Sequence, residues 1–275
     1  MATDAPQRVS PRPFLKWAGG KGQLLSQYLA YFPQHFEVYY EPFLGGGAVF
    51  FHLLPAQAVL TDINPELVNV YSCIRDRLEQ VISLLAEHQQ RHGKDYYYQI
   101  RASNQGTAVE RAARLIYLNK TCFNGLYREN SKGDFNVPIG KYKNPTICNS
   151  ALLRSASLAL QSVQIEVRSF DAVLDFAKTS QDFVYLDPPY YPLSSTSNFT
   201  SYSRYSFGEV DQVKLRNTFL TLAQRGVKVM LSNSDCPFIR DLYKDFNIHQ
   251  ITASRAINSN AKKRGIIAEV LVTSY

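Results

Sequence analysis

A chain of 275 residues with 45% hydrophobic side chains can bury a full core, either as one large domain or as a core carrying a sizeable insert. Its formal charge of +7 fits a polyanionic partner without demanding one. Cys73, Cys122, Cys148 and Cys236 are too scattered for a zinc site or a disulfide framework, and the longest apolar stretch, Ala48 to Leu60, is interrupted and too short to span a bilayer, so a reduced cytoplasmic protein with no metal and no membrane role is expected.

In chain order, Met1 to Pro13 mixes prolines and charges without an apolar core, which reads as a loose arm rather than a signal peptide. Gly19-Gly20-Lys21 suggests a phosphate loop, but Leu15 stands where its first glycine belongs and Gly22 where a hydroxyl residue is needed. Val38-Tyr39-Tyr40 predicts a strand, Glu41 to Gly47 a glycine-rich turn, and Ala48 to Leu54 a helix. Ala58 to Leu60 predicts a second strand, ending near Asp62. Asn64 and Pro65 then read as N-cap and first-turn proline of a helix reaching about His92. Further strands are expected at Val163 to Val167, Phe183 to Leu186, Val227 to Leu231 and Ile266 to Val272, with Ser206-x-x-Glu209 as a capping box opening a helix to about Gln224. This alternation is the pattern of a wound α/β sheet.

Between about Asn69 and Ser150 the alternation gives way to helices, Arg75 to Gln90 and Ala108 to Leu118, and then to a basic, aromatic segment punctuated by glycines. An inserted domain is expected there. His88 and His92 have the spacing of a metal pair but no third ligand, and read as a solvated helix face. Ser194 to Ser206, rich in Ser, Thr and Tyr, could close over a neighbouring site, and the Asn198-Phe199-Thr200 triplet reads as incidental.

The chemistry concentrates in two places. Glycines at a strand-to-helix turn let a ligand press against the backbone, and Asp62 after the next strand can accept hydrogen bonds from ribose hydroxyls, so a nucleoside-containing cofactor suits the pair. A dinucleotide suits it less, because Phe50 replaces the third glycine of the fingerprint. Asp187-Pro188-Pro189-Tyr190 follows the apolar run Phe183 to Leu186. Two prolines remove two backbone donors, which leaves the carbonyls beside Asp187 to accept from a ligand. An acid, a main-chain oxygen and an aromatic face suit a planar amino group: Asp187 takes one N–H, the Pro188 carbonyl the other, and Tyr190 stacks on the ring. Taken alone, the tetrapeptide reads equally as a strand end stopped by prolines.

FLKWAGGK, EPFLGGG, TDIN, NGLYREN, GDFNVPIGKYKNP and DPPY occur here in this order, and together they resemble the Dam-type DNA adenine-N6 methyltransferases over roughly Pro13 to Tyr275. The resemblance implies a Rossmann-like S-adenosylmethionine-dependent sheet formed by residues 13–68 and 151–275. Residues 69–150 would be an inserted, mainly helical target-recognition domain carrying a β-hairpin. It implies S-adenosylmethionine as cofactor, with Trp17 and Lys21 lining its pocket, Phe43, Gly45 and Gly47 behind it, Asp62 on its ribose, Ser169 and Phe170 at its adenine, and Asp187 bridging cofactor and target base. Phe170 departs from the polar or Tyr residue of some relatives.

The segment Lys120 to Lys143 interleaves basic and aromatic residues with turn formers, as a hairpin entering a groove would. Arg128 can meet a guanine edge through two hydrogen bonds, and Phe123 can wedge into the stack that a flipped adenine leaves. By the resemblance, Asn124, Leu126, Arg128 and Pro138 keep the G-A-T-C-reading pattern and Lys16 meets the outer guanine, while Phe123 and Lys141 stand where Tyr and Arg are common. Arg255, Lys262, Lys263 and Arg264 read as phosphate clamps. The implied activity is methylation of adenine in double-stranded DNA by a monomer, in a bacterial cytoplasm and on the nucleoid, with phage origin left open. Methylation of cytosine N4 or of an RNA base, and a DNA-binding module without catalysis, remain the alternatives.

Overall fold

The computed structural model describes residues 9–193, 207–254 and 266–275. The strands are β1 (Val38–Glu41), β2 (Gln57–Asp62), β3 (Val163–Val167), β4 (Asp182–Leu186), β5 (Lys228–Ser234), β6 (Asn247–Ser254) and β7 (Ile266–Thr273). The helices are α1 (Leu25–Tyr28), α2 (Ala48–Leu53), α3 (Pro65–Asp76), α4 (Leu78–Arg91), α5 (Lys94–Ala102), α6 (Ala108–Thr121), α7 (Ser150–Leu160), α8 (Glu209–Gln224) and α9 (Pro237–Leu242). The strands form a seven-stranded sheet in the order β3-β2-β1-β4-β5-β7-β6. This is the wound α/β sheet expected from the alternation. The residues divide into two compact units, one from residues up to 18, 45–54 and 64–165, the other from 19–44, 55–63 and 166–275.

In the second unit β1 pairs in parallel with β2 and β4, and β4 with β5, while β7 runs antiparallel to β5 and β6. β4 is buried along its whole length, as a central parallel strand covered on both faces must be. Its side chains alternate between faces. Val184 and Leu186 join Val229 and Leu231 in a cluster with Leu215, Phe219 and Leu222 of α8. Phe183 and Tyr185 belong to an aromatic layer in which Phe36, Tyr39 and Phe32 surround Phe183 and Tyr28 lies 6.3 Å from Tyr185. Because β1, β2, β4 and β5 are parallel, their carboxyl ends share one edge. The chain order reverses between β1 and β4, which is where wound sheets open a ligand crevice.

The first unit is helical. Asn64 caps α3 by accepting from the Glu66 and Leu67 N–H groups, with Pro65 in the first turn. The single helix expected to reach about His92 is two: Arg77, at φ −134° and ψ 30°, leaves helical geometry, and α4 restarts to bury Val81 and Leu85. α6 opens with a reciprocal Thr107–Glu110 capping box and packs against α3, α4 and α5. His88 and His92 are half-buried rather than the fully solvated face expected; their Nδ1 atoms lie 2.7 Å from the Tyr96 hydroxyl and 2.9 Å from the Tyr117 hydroxyl, and burial lowers both imidazole pKa values. The start of α8 also differs from expectation. Gly208 is the N-cap, and its N–H donates to Asp211, three residues on, at 2.9 Å. Ser206, the Ser194 to Ser206 segment and the basic group from Arg255 to Arg264 lie outside the described residues.

Phe219 is fully buried between α8 and the sheet. Truncating it to Ala should cost about 3–5 kcal/mol of unfolding free energy, read as a fall in the urea midpoint at unchanged slope.

Candidate functional site

Asp187 follows β4 directly and stands at the crevice edge. Lys21, only 3% exposed, places Nζ 2.8 Å from Asp187 Oδ1, donates to the Gly19 carbonyl at 2.7 Å, and lies 4.5 Å from the centre of the Tyr190 ring. Ser232 Oγ donates to the same Oδ1 at 2.8 Å. Ser232 carries one hydroxyl hydrogen, and that hydrogen is used on Asp187, so the 3.0 Å contact with Tyr185 has the tyrosine as donor. Burial first, and the Asp187 charge second, raise the Tyr185 phenol pKa well above its ordinary value and keep it a donor. The same two causes lead for Tyr190, whose hydroxyl donates to Glu269 at 2.7 Å.

The loop after Asp187 is pinned by a buried amide chain. Gln212 donates through Nε2 to the Pro189 carbonyl at 3.0 Å and accepts from Asn233 Nδ2 at 3.0 Å, while Asn233 Oδ1 accepts from the Tyr191 N–H. The expectation that the carbonyls near Asp187 are left for a ligand therefore fails at Pro189, whose oxygen α8 has claimed. Ser232, Asn233, Gln212 and Glu269 were not singled out from sequence. A polar triplet, Ser232-Asn233-Ser234, at the end of the otherwise apolar β5 was the available signal for two of them.

Elsewhere in the second unit, Phe43 follows β1 and stacks on Phe170 with ring centres 5.4 Å apart and planes 20° apart, and Phe207 closes on both rings. Ser169 stands at the N-cap position of the short 3-10 turn that carries Phe170, and its hydroxyl donates to the Asp171 carboxylate. Asp62 ends β2, and its carbonyl accepts from the Arg168 N–H. Lys21, Asp187 and Tyr190 thus form one cluster, and Phe43 and Phe170 another.

In the first unit Trp17 stacks on Tyr127 at 5.1 Å and presses on the glycine turn, where a Cβ on Gly45 would lie 3.0 Å from the indole. Gly45 and Gly47 both have positive φ, and Tyr71 donates to the Gly45 carbonyl. Lys16 is clasped by Asn119, which accepts from its N–H at 2.8 Å and donates to its carbonyl at 2.7 Å and to that of Gly125 at 3.0 Å. Gly125, at φ +66°, is so close to Lys16 that a Cβ would fall 2.5 Å from its Cδ.

Around that clasp the structure gathers the remaining sequence-predicted residues of this unit. Phe123 and Leu126 are 49% and 42% exposed, Asn124 adopts positive φ, and the Phe123 N–H donates to the Pro138 carbonyl. Arg128 is exposed, with its guanidinium oriented by Asn136 through Nε and Nη2. The expected hairpin is held by two isolated bridges, Cys122 to Ile139 and Glu129 to Phe135, rather than by a continuous ladder, and its Asn130–Asp134 tip is closed by backbone and side-chain hydrogen bonds. Beside it a cavity of about 460 Å³ is lined by Lys16, Lys120, Lys141, Tyr142 and Lys143, a setting suited to an anion. Among the described residues, no group of three His, Cys, Asp or Glu could hold a metal ion.

The model of the D12 class of N6 adenine-specific DNA methyltransferases matches residues 17–257. The chain is 47% identical to a Type II methyltransferase, M1.LlaDCHI, of Lactococcus lactis subsp. cremoris, over 98% of this chain and 97% of that one. It is 42% identical to Type II methyltransferase M.MjaIII of Methanocaldococcus jannaschii, over 96% and 99%. It is 34% identical to the DNA adenine methylase of Escherichia coli K12, over 94% of each chain.

Burial, and then the charges of Lys16 and Arg12, lower the Lys120 ammonium to about 8. Above that pH the folded chain sheds a proton that the unfolded chain keeps to about 10.4, so this residue makes stability rise between pH 8 and 10. Lys120→Met should flatten that part of the stability profile, as denaturant titrations at stepped pH would show.

Proposed function

Because the chain belongs to the D12 class of N6 adenine-specific DNA methyltransferases, we propose that it methylates adenine N6 within GATC in double-stranded DNA, swinging the adenine out of the helix to do so. The observation that carries this reading is the Asp187 carboxylate at the sheet's switch point, with the two donors it has among the described residues, the Lys21 ammonium and the Ser232 hydroxyl, on Oδ1, next to an aromatic ring whose hydroxyl is tethered. Such a group can accept an N–H through Oδ2 while the base stacks on Tyr190. The N6 lone pair is delocalised into the ring, and accepting its two hydrogens, one at Asp187 and one at the Pro188 carbonyl, localises it for attack. The proton need not leave first, since the nitrogen becomes strongly acidic only once it is alkylated.

S-adenosylmethionine is the methyl donor, and it supplies an electrophilic methyl group on a sulfonium. The residues of the second unit fit it. Half-buried Phe43, backed by the buried Phe170 ring, offers apolar surface to an adenine, Asp62 at a strand end suits ribose hydroxyls, Ser169 begins the turn that carries Phe170, and Asp187 offers negative charge to a sulfonium. We assign Trp17, Lys21, Gly45 and Gly47 to cofactor binding as well, with the glycine backbone supporting close approach.

Residues 69–150 act in this reading as the DNA-recognition insert, and 13–68 with 151–275 as the catalytic domain. Exposed Phe123 is the wedge. Arg128, pre-oriented by Asn136, reads a guanine, while Lys16, Asn124, Leu126, Pro138 and Lys141 complete the contact. The chain acts as a monomer in the cytoplasm, with its DNA; among the described residues no helix is long and apolar enough to cross a membrane. The type II designation of two relatives supports a role in restriction and modification.

Asp187→Ala should abolish labelled methyl transfer to a GATC duplex while leaving duplex affinity, by fluorescence anisotropy, measurable. Normal turnover would remove Asp187 from the reaction, and nucleoside analysis of the wild-type product would expose any cytosine N4 activity. Arg128→Ala should lose about 1–3 kcal/mol of discrimination at one guanine position. Methylation rates on duplexes substituted one position at a time would show it, and an unaltered preference would exclude Arg128 from readout.

A further inference from the structure

The ion pair and the hydrogen bond that the described residues make to Asp187 end on one oxygen. Lys21 and Ser232 each reach Oδ1 at 2.8 Å. The two donors approach from different elements, Lys21 from the segment before α1 and Ser232 from β5, so together they restrict rotation of the carboxylate about its χ2 axis. Ser232 is placed by sheet register: Leu186, the last residue of β4, pairs with Leu231, and the residues that follow them are Asp187 and Ser232. Its hydroxyl is fixed in turn, because Tyr185 supplies the hydrogen that Ser232 accepts and leaves the serine hydrogen for Asp187. Ser232 is 0% exposed, so water does not replace either bond.

From this geometry we infer that Ser232, held by Tyr185, is a positioning residue of the methyl transfer: it locks the Asp187 carboxylate with Oδ1 engaged and Oδ2 presented to the substrate amine. The inference rests on the reading of Asp187 as acceptor of that amine. A carboxylate free to rotate would spend part of its time with neither oxygen aligned to the N–H. Misplacement of a reacting group by about 1 Å can cost about a hundredfold in rate, and the loss falls on the bound complex rather than on substrate capture.

The test is single-turnover and steady-state methylation of a GATC duplex by the wild type, Ser232→Ala, Ser232→Thr, Tyr185→Phe, the Ser232→Ala/Tyr185→Phe double variant and Asp187→Asn, each checked for thermal unfolding and for cofactor affinity by calorimetry. Ser232→Ala should lower kcat by about tenfold to about a hundredfold, with KM for DNA and cofactor affinity within about twofold of wild type. Ser232→Thr, which keeps the hydroxyl, should recover most of the rate. Tyr185→Phe should show a smaller loss of the same kind, and the double variant should be no slower than Ser232→Ala, because Tyr185 acts through the serine. Full kcat in Ser232→Ala, a loss that Thr does not restore, or additive losses in the double variant would overturn the inference. If Ser232→Ala does not fold, Tyr185→Phe and Ser232→Thr carry the comparison, and an unchanged kcat in Tyr185→Phe overturns it. An active Asp187→Asn would instead overturn the role of Asp187 itself, whereas an inactive Asp187→Asn beside a normal Ser232→Ala would overturn only the positioning role.

Discussion

Burying an ammonium as completely as Lys21 costs several kcal/mol unless a counter-charge and further acceptors surround it. Asp187 is that counter-charge, and the Gly19 carbonyl and the Tyr190 ring face complete the shell. The need is mutual. A carboxylate at the end of a strand buried on both faces requires donors, and Lys21 and Ser232 provide them at a fixed place. β4 positions Asp187, β5 positions Ser232 beside it, and the glycine-bounded segment before α1 brings Lys21 in. Removing either charge would leave the other without its counter-charge.

Around that pair, support comes from neutral polar groups whose roles are fixed by counting hydrogens. The Gln212–Asn233 chain satisfies the Pro189 carbonyl and the Tyr191 N–H inside a region where an unmet polar group would cost about 1–3 kcal/mol. Its effect is to hold the loop after Asp187 against α8 and β5. Tyr190 is tied from a third direction by Glu269 of β7, so the antiparallel strand added to the parallel sheet also serves the crevice edge. The clasp of Asn119 on Lys16 and Gly125 does the same work in the helical unit, joining the N-terminal segment to the basic loop without any regular strand pairing.

Much of the fold was legible because local pattern and tertiary role agree. The apolar runs at Val163 to Val167 and Phe183 to Leu186 are strands at or within one residue of those limits, and Asn64-Pro65 caps a helix as its chemistry dictates. β6 escaped notice because Asn247 to Ser254 is largely polar, and such a strand is stabilised by its long antiparallel ladder with β7 rather than by a continuous apolar run. α5 is crowded with tyrosines whose helical state is set by packing on α6. The break at Arg77 carries neither Gly nor Pro. At the site, Asp187 and Tyr190 stood out because four unusual residues are adjacent, whereas Ser232 and Glu269 sit 45 and 79 residues from their partners and become neighbours only through strand register.

The Lys16–Gly125 contact bears on how this scaffold could be retargeted. Only a hydrogen fits at 125, both for the backbone conformation and for the lysine stem beside it, and Gly140 is as tightly walled, by Tyr142 and the Cys122 carbonyl. Phe123, Asn124 and Leu126, by contrast, are open to solvent. In the reading proposed above, combinatorial libraries seeking a new recognition sequence have freedom at Phe123 and Leu126, are restricted at Asn124 by its φ of +56°, and should leave the two glycines unchanged as parts of the frame on which any new set of side chains is displayed.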